Sequence, residues 1–449
     1  MTSIIKLTLV TMLNRLKNIY DKSPFLIKNI YSYIPLGIKY GKVYRYWKKI
    51  IDQKVVLQRD PRETLEYAIN NCVFYRELYK NANLDEWCNV PLIDKETIQA
   101  GLTSFDNNKI NKLFVTTGGV TGKPAKFYQS NNVWYKEMAF VYGFFKGHGY
   151  TPPTIKASFR GGDFSSLKYN TYWVRNPHHF EVNFSPFHIN DNTIISYIKE
   201  LNRLKPLYFH GYPSAFLSLA KHMKNAKLKL NYKPKCFFLI SEGYTKKEIS
   251  YLESVFECSM CSFYGQSERV VFAVADKDLE QYSVDQNYGY FELVDKAGNI
   301  VEENNIEGEI VATSYDNTVM PLIRYRTGDF TSYIDYEKKI FKKISGKWGQ
   351  QHLYGFNSEQ ISLTALNLHS EELNNVIKIQ FIQKELGYID VLVMLKKDGA
   401  KSTIKKIEQS LNDRVINVAN FCVKKTDEFI KSSRGKSPLI ISKIVKHEN

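Results

Sequence analysis

A chain of 449 residues with 43% hydrophobic and 24% charged residues has ordinary globular composition and enough apolar side chain for more than one domain. Its 62 Lys+Arg against 46 Asp+Glu leave a formal charge of +16, which suits a nucleic acid, an anionic lipid or a polyanion such as ATP; no nucleic-acid recognition motif or basic tail accompanies the charge, so nucleic acid is not an expected partner. The six cysteines, Cys72, Cys88, Cys236, Cys258, Cys261 and Cys422, are scattered, which excludes a disulfide-framed secreted domain and fits a reducing cytoplasm.

In chain order, residues 1–50 form a basic arm. Lys6, Arg15, Lys17, Lys22, Lys28, Lys39, Lys42, Arg45, Lys48 and Lys49 face a single acid, Asp21. The apolar stretch Ile4 to Leu16 is interrupted by Lys6 and Arg15 and lacks a small-residue cleavage site, so it reads neither as a spanning helix nor as a signal peptide. Two readings stay open: a helix in peripheral contact with the inner face of the membrane, or an amphipathic helix packed on the domain. Residues 61–81 begin with Pro and acids and carry apolar residues at helical spacing, which predicts a helix.

From about residue 111 short β-prone runs, LFVTT, CFFLI and CSFYG, end in Gly, Ser or Thr and alternate with helical stretches such as SAFLSLAKHMKNA. That rhythm predicts an α/β domain whose ligand sits at the carboxyl ends of strands. Cys258 and Cys261 make a C-x-x-C with no second Cys or His pair at zinc spacing, and read as buried strand residues. His178 and His179, if on a strand, point to opposite faces and make a poor metal pair. The glycine-bearing run ISGKWGQQHLYGFNS (344–358) marks a hinge; beyond it two strands, a helix and a last strand form a compact α+β lobe. The expected division is a large domain over 1–345 and a small mobile one over 346–449, α/β in class and α+β overall.

The strongest local signal is Leu113-Phe-Val-Thr-Thr-Gly-Gly-Val-Thr-Gly-Lys-Pro124. Closely set glycines (Gly118, Gly119, Gly122) turn backbone N–H groups toward one point, Thr116, Thr117 and Thr121 add hydroxyl donors and Lys123 adds charge, which suits a polyphosphate. The kinase-type P-loop is excluded, because that motif needs Gly where Thr117 stands and Ser or Thr where Pro124 stands.

This segment resembles the phosphate-binding signature of the adenylate-forming superfamily of acyl-CoA synthetases and ligases. Tyr264-Gly-Gln-Ser-Glu268, Tyr325-Arg-Thr-Gly-Asp329 and Arg434-Gly-Lys436 resemble its other signatures, in the family's order. Asn71–Arg76, Pro91–Glu96, His210–Ser214 and Met320–Tyr325 are similar to the phenylacetate–coenzyme A ligase family. The Gly-Gly loop and Gly265-Gln-Ser-Glu-Arg269 are similar to its branch associated with capsule and other surface-polysaccharide biosynthesis.

The resemblance implies an ATP- and Mg²⁺-dependent ligase that activates a carboxylic acid as an acyl-adenylate and passes the acyl group to coenzyme A or to an amine or hydroxyl on a sugar. It places the loop residues, Ser241, Glu242, Tyr264 and Gly265 around the nucleotide, with Thr117 among the catalytic groups, Glu268 on Mg²⁺, Asp329 on the ribose hydroxyls and Lys436 at the α-phosphate. His188, His210 and Tyr212 are acyl-pocket candidates. Two departures, Lys347 where the family usually has Arg and Val120 in place of a hydroxyl residue, leave room for a catalytically silent nucleotide-binding or assembly protein.

Overall fold

The computed structural model describes residues 33–105, 112–117, 125–162, 164, 171–344, 352–366, 375–396, 401–430 and 438–444. Two helices open it, α1 (Leu36–Lys39) and α2 (Gly41–Asp52). In α2, Tyr44 and Trp47 are buried three residues apart while Lys42, Arg45, Lys48 and Lys49 face outward. This end of the basic arm is therefore an amphipathic helix packed on the domain; the stretch Ile4 to Leu16 lies outside the described residues.

The predicted 61–81 helix is two helices. Asp60 caps α3 (Pro61–Asn71) by accepting from Arg62 N at 2.8 Å, with Pro at the first turn. The chain then becomes extended at Cys72 before α4 (Val73–Leu78). A straight helix could not bury Cys72, Phe74 and Tyr75 together; the break does, and the Tyr75 hydroxyl donates to Pro321 O at 2.8 Å. Asp94 caps the next helix, α5 (Lys95–Ala100), through Thr97 N at 2.7 Å.

LFVTT lies on β1 (Lys112–Thr117), which pairs antiparallel with β2 (Ala125–Ser130) in a separate two-stranded ribbon carrying the glycine loop at its turn. After α6 (Asn131–Gly147) the chain builds one large mixed sheet. It passes through β3 (Lys156–Phe159), β4 (Trp173–Asn176), β5 (Glu181–Phe184), α7 (Ile194–Leu204), β6 (Tyr208–Gly211), α8 (Pro213–Asn225), β7 (Cys236–Leu239), α9 (Lys246–Phe256) and β8 (Ser259–Gly265). Antiparallel strands follow: β9 (Phe272–Ala275), β10 (Gln281–Val284), β11 (Gly289–Val294), β12 (Glu307–Ser314), β13 (Tyr325–Asp335) and β14 (Ile340–Lys342). The order is β11-β12-β13-β14-β10-β9-β8-β7-β6-β3-β5-β4, with β5, β3, β6, β7 and β8 mutually parallel.

The central parallel strands β6 and β7 are buried on both faces, as helices on both sides of a sheet require. Phe237 stacks on Phe209 at 4.2 Å on the α8–α9 side, and its neighbour Phe238 packs on Phe145 of α6 at 4.3 Å on the other. Gly211 ends β6 against β3, where a Cβ would stand 2.2 Å from Phe159 O. His178 and His179 sit in a 3₁₀ turn, Pro177–His179, so the strand argument about their opposite faces does not apply.

Past the glycine-rich run come a hairpin, β15 (His352–Tyr354) with β16 (Gln360–Ser362), and a four-stranded sheet. That sheet uses β17 (Val376–Glu385), β18 (Tyr388–Leu395), β19 (Asn420–Lys425) and β20 (Ile440–Ser442) in the order β19-β18-β17-β20, with α10 (Lys401–Arg414) packed beside β19. Among the described residues no helix is long and apolar enough to cross a membrane.

Candidate active site

Sequence-distant segments meet at the carboxyl edge of β8. The turn after β8 carries Gln266, Ser267 and Glu268 and closes with Arg269 N donating to Gln266 O at 3.0 Å. Pro91–Glu96 runs beside the start of β13: Ile93 N donates to Arg324 O at 3.2 Å and Arg326 N to Ile93 O at 2.9 Å. The β1–β2 ribbon is fixed to the same turn by Gln129, which donates to Ser267 O at 2.7 Å and accepts from Arg269 Nη1 at 2.9 Å. The β1–β2 ribbon is thus tied, at its Leu113–Gln129 end, to the turn that carries Glu268.

Within this meeting point the buried Tyr325 hydroxyl donates to Glu268 Oε1 at 3.1 Å. Burial raises the half-buried Glu268 carboxyl above its usual range; the Tyr325 hydrogen bond and the charge of Lys95 oppose the rise, and Asp329 adds to it. Asp329 is held by the Tyr264 hydroxyl at 2.7 Å, and Gln266 donates to that same hydroxyl. This irregular stretch of β13, where the pairing with β12 shifts register, is shaped by Thr327, which accepts from Asp329 N at 3.1 Å, and by Gly328, whose φ of 79° lies in the left-handed region. Gly328 N and the Arg326 guanidinium both engage Glu309, which locks the irregularity to β12.

Thr116 and Thr117 end β1, facing Lys126 and Ala125 across the ribbon. Gly118, Gly119, Thr121, Gly122, Lys123, Lys347 and Lys436 lie outside the described residues. Ser241 follows β7 with φ of 61°, and the adjacent Glu242 carboxylate accepts from Ser214 N at 3.1 Å and from the Ser362 hydroxyl. Glu242 therefore joins the amino terminus of α8 to β16, and burial raises its carboxyl.

His188 is engaged at both ring nitrogens: Nδ1 lies 2.6 Å from Ser185 Oγ, and Nε2 lies 2.9 Å from Ile416 O, beyond α10. Since a carbonyl can only accept, Nε2 carries the proton and Nδ1 accepts. His210 is buried on β6 against Phe145, its Nδ1 without a hydrogen-bond partner among the described residues. The Tyr212 hydroxyl accepts from Gly161 N at 3.3 Å. Sequence reasoning missed Gln129 as the anchor and Lys95 as the cation beside Glu268. It also missed a buried network near His210, in which Glu181 accepts from Arg160 at 2.7 Å and Ser158 at 2.6 Å and lies 3.5 Å from Lys156. Only the PLIDKE resemblance drew attention to the segment holding Lys95.

No family model matches the chain. It is similar to Protein CapK of Staphylococcus aureus, 26% identical over 462 residues spanning 96% of this chain and all of that protein. Among solved structures it resembles 2-hydroxyisobutyryl-CoA ligase in complex with 2-HIB-AMP and CoA in the thioesterification state, with a TM-score of 0.53, 15% identity and coverage of 91% of this chain and 90% of that one. The same ligase in the postadenylation state with 2-HIB-AMP gives a TM-score of 0.51 at 16% identity, covering 85% and 88%. The chain has the fold of the adenylate-forming ligases.

Proposed function

We propose that this chain, built on the adenylate-forming fold, uses ATP to turn a small carboxylic acid into an acyl-adenylate and then transfers the acyl group. The acceptor is coenzyme A or an amine or hydroxyl of a sugar-linked molecule in surface-polysaccharide synthesis. The observation that carries this reading is the convergence of Glu268, Tyr325 and the Tyr264–Asp329 pair with the ribbon that holds the glycine loop.

Carboxylate and α-phosphate are both anions, so the site has to lower charge repulsion in the transition state rather than supply a covalent nucleophile. The glycine loop from Thr116 to Lys123 is assigned to the phosphates and Asp329, oriented by Tyr264, to the ribose hydroxyls. Glu268 fits Mg²⁺: it is a hard oxygen donor at a half-buried position, and Tyr325 hydrogen-bonds one of its oxygens. When bound, Mg²⁺ would supply positive charge that offsets the repulsion between the reacting anions. The Tyr325 hydrogen bond fixes the direction in which Glu268 presents its carboxylate, and Lys95 offsets part of the negative charge gathered by Glu268 and Asp329.

Residues 1–345 and 346–449 act as two domains in this reading, the second bringing Lys436, with Lys347 near the hinge, to the nucleotide for the first half-reaction only. The basic arm, residues 1–50, adds a peripheral contact with anionic lipid through the outward Lys42, Arg45 and Lys49 of α2, which places the enzyme in the cytoplasm at the inner face of the membrane.

ATP–pyrophosphate exchange with a panel of carboxylic acids tests the first half, and acceptor-dependent release of AMP tests the second. Lys436→Ala is expected to abolish adenylate formation while retaining the use of an acyl-adenylate supplied from outside. Exchange with no acid of a broad panel would instead favour a silent nucleotide-binding relative, and equal loss of both halves would remove Lys436 from the first step.

A further inference from the structure

Away from Glu268, toward the amino-terminal end of β7, three side chains that can ligate a metal come together. Cys236 opens β7 and Cys261 lies on the neighbouring parallel strand β8. Phe238 pairs in register with Cys261, so Cys236, two residues before Phe238, shares the face that packs on α6. His148, just past the carboxyl end of α6, completes the group. The two sulfurs are 2.8 Å apart, Cys261 Sγ is 3.3 Å from His148 Nδ1, and all three ligand atoms lie within 4.8 Å of one another. Both cysteines are buried, whereas His148 is exposed, so the cluster opens to water on one side.

We propose that His148, Cys236 and Cys261 form a binding site for a thiophilic metal ion, with the chemistry of Zn²⁺. Two thiolates and one imidazole are a donor set that Zn²⁺ prefers, and three protein ligands leave a fourth tetrahedral position for water on the His148 side. Zn–S bonds of about 2.3 Å and Zn–N bonds of about 2.0 Å put the sulfurs about 3.8 Å apart and sulfur and nitrogen about 3.5 Å apart in a regular tetrahedron. The two sulfurs are about 1 Å closer than that and Cys261 Sγ and His148 Nδ1 about 0.2 Å closer, while the third pair lies within 4.8 Å, so rotation of the thiol side chains by up to about 1 Å admits the ion. Binding transfers one proton from each thiol to solvent and no electrons move. A simple disulfide would engage both sulfurs but gives no reason for the imidazole nitrogen that points at them. The C-x-x-C of the sequence is not the motif: Cys261 takes its partner from β7, not Cys258. The ion would tie the end of α6 to the middle of the sheet, independently of the nucleotide chemistry at the opposite edge.

The test is titration of the reduced full-length protein with Co²⁺ as a spectroscopic probe, followed by displacement with Zn²⁺. One equivalent is expected, with a thiolate-to-cobalt charge-transfer band that Zn²⁺ abolishes. Cys236→Ser and Cys261→Ser should lose the band, His148→Ala should weaken the affinity, and Cys258→Ser should change nothing. If a serine variant fails to fold, zinc X-ray absorption on the unsubstituted protein decides: two sulfurs at about 2.3 Å support the site, and a shell of nitrogen and oxygen alone overturns it. Absence of stoichiometric uptake, a band that survives Cys236→Ser, or a Cys236–Cys261 disulfide isolated from protein that binds no metal also overturns it.

Discussion

Two carboxylates flank the start of β13, and their surroundings differ in kind. Glu292 is sealed: Arg324 Nε donates to it at 2.6 Å, Trp87 Nε1 donates at 2.7 Å, and the same guanidinium reaches Val90 O at 2.7 Å. Glu268, half-buried, accepts from the Tyr325 hydroxyl at 3.1 Å and feels the opposed charges of Lys95 and Asp329, and among the described residues no arginine pairs with it as Arg324 pairs with Glu292. Adjacent residues of one strand entry, Arg324 and Tyr325, thus serve opposite ends. A buried carboxylate answered by a guanidinium holds structure, whereas a carboxylate left with acceptor capacity at a strand's carboxyl edge is available to a ligand's charge.

The contrast can be broken most forcefully at the sealed pair. Arg324→Ala leaves Glu292 buried and unpaired and is expected to cost roughly 3–5 kcal/mol of stability. Urea unfolding reads it directly, and a loss under about 1 kcal/mol would show that the pair is not structural. Glu268→Gln should do the reverse, lowering ATP–pyrophosphate exchange by about a hundredfold or more while the unfolding midpoint holds or rises. Unchanged exchange in a folded variant would take Glu268 out of the mechanism.

Asp329→Ala comes next, with about tenfold weaker ATP binding by calorimetry, since hydrogen bonds between a charged and a neutral group contribute roughly 1.5–3 kcal/mol. Tyr264→Phe removes only the orienting hydroxyl and should cost about 1 kcal/mol, some fivefold. Equal affinity in all three proteins would leave the ribose assignment without support.

The smallest effect is in pH. Because burial raises the Glu268 carboxyl, the folded state holds that proton to higher pH than the unfolded chain. Its contribution to stability is present below the usual glutamate range and is lost as pH rises through the folded value. Glu268→Gln should remove this loss, so the stability difference between variant and wild type should grow from acidic toward neutral pH. A difference independent of pH would mean that the carboxyl is not shifted.

Much of this was legible in the chain itself. CFFLI and CSFYG are strands because β-prone, largely apolar residues run up to a Gly or Ser, and Asp60-Pro61 starts a helix because its side chain and ring suit that end. The 61–81 helix was drawn too long because helical spacing says nothing about which residues must share a core, and Cys72, Phe74 and Tyr75 are gathered by a break. His188 read as a pocket candidate because its partner, Ile416 O, is 228 residues away and is a backbone atom that no motif marks.

Sequence by itself determined the alternation of strands and helices, the glycines that set loop shape, and the order of the charged segments, because backbone propensity and side-chain period act over a few residues. Only the tertiary structure decided which carboxylate is sealed and which is open, that Gln129 holds the glycine ribbon against Ser267, and that Cys261 looks to Cys236 instead of Cys258. Those outcomes depend on strand order and on hydrogen bonds between residues far apart in the chain. Such contacts form only where the sheet brings their backbones together, so no local pattern can encode them.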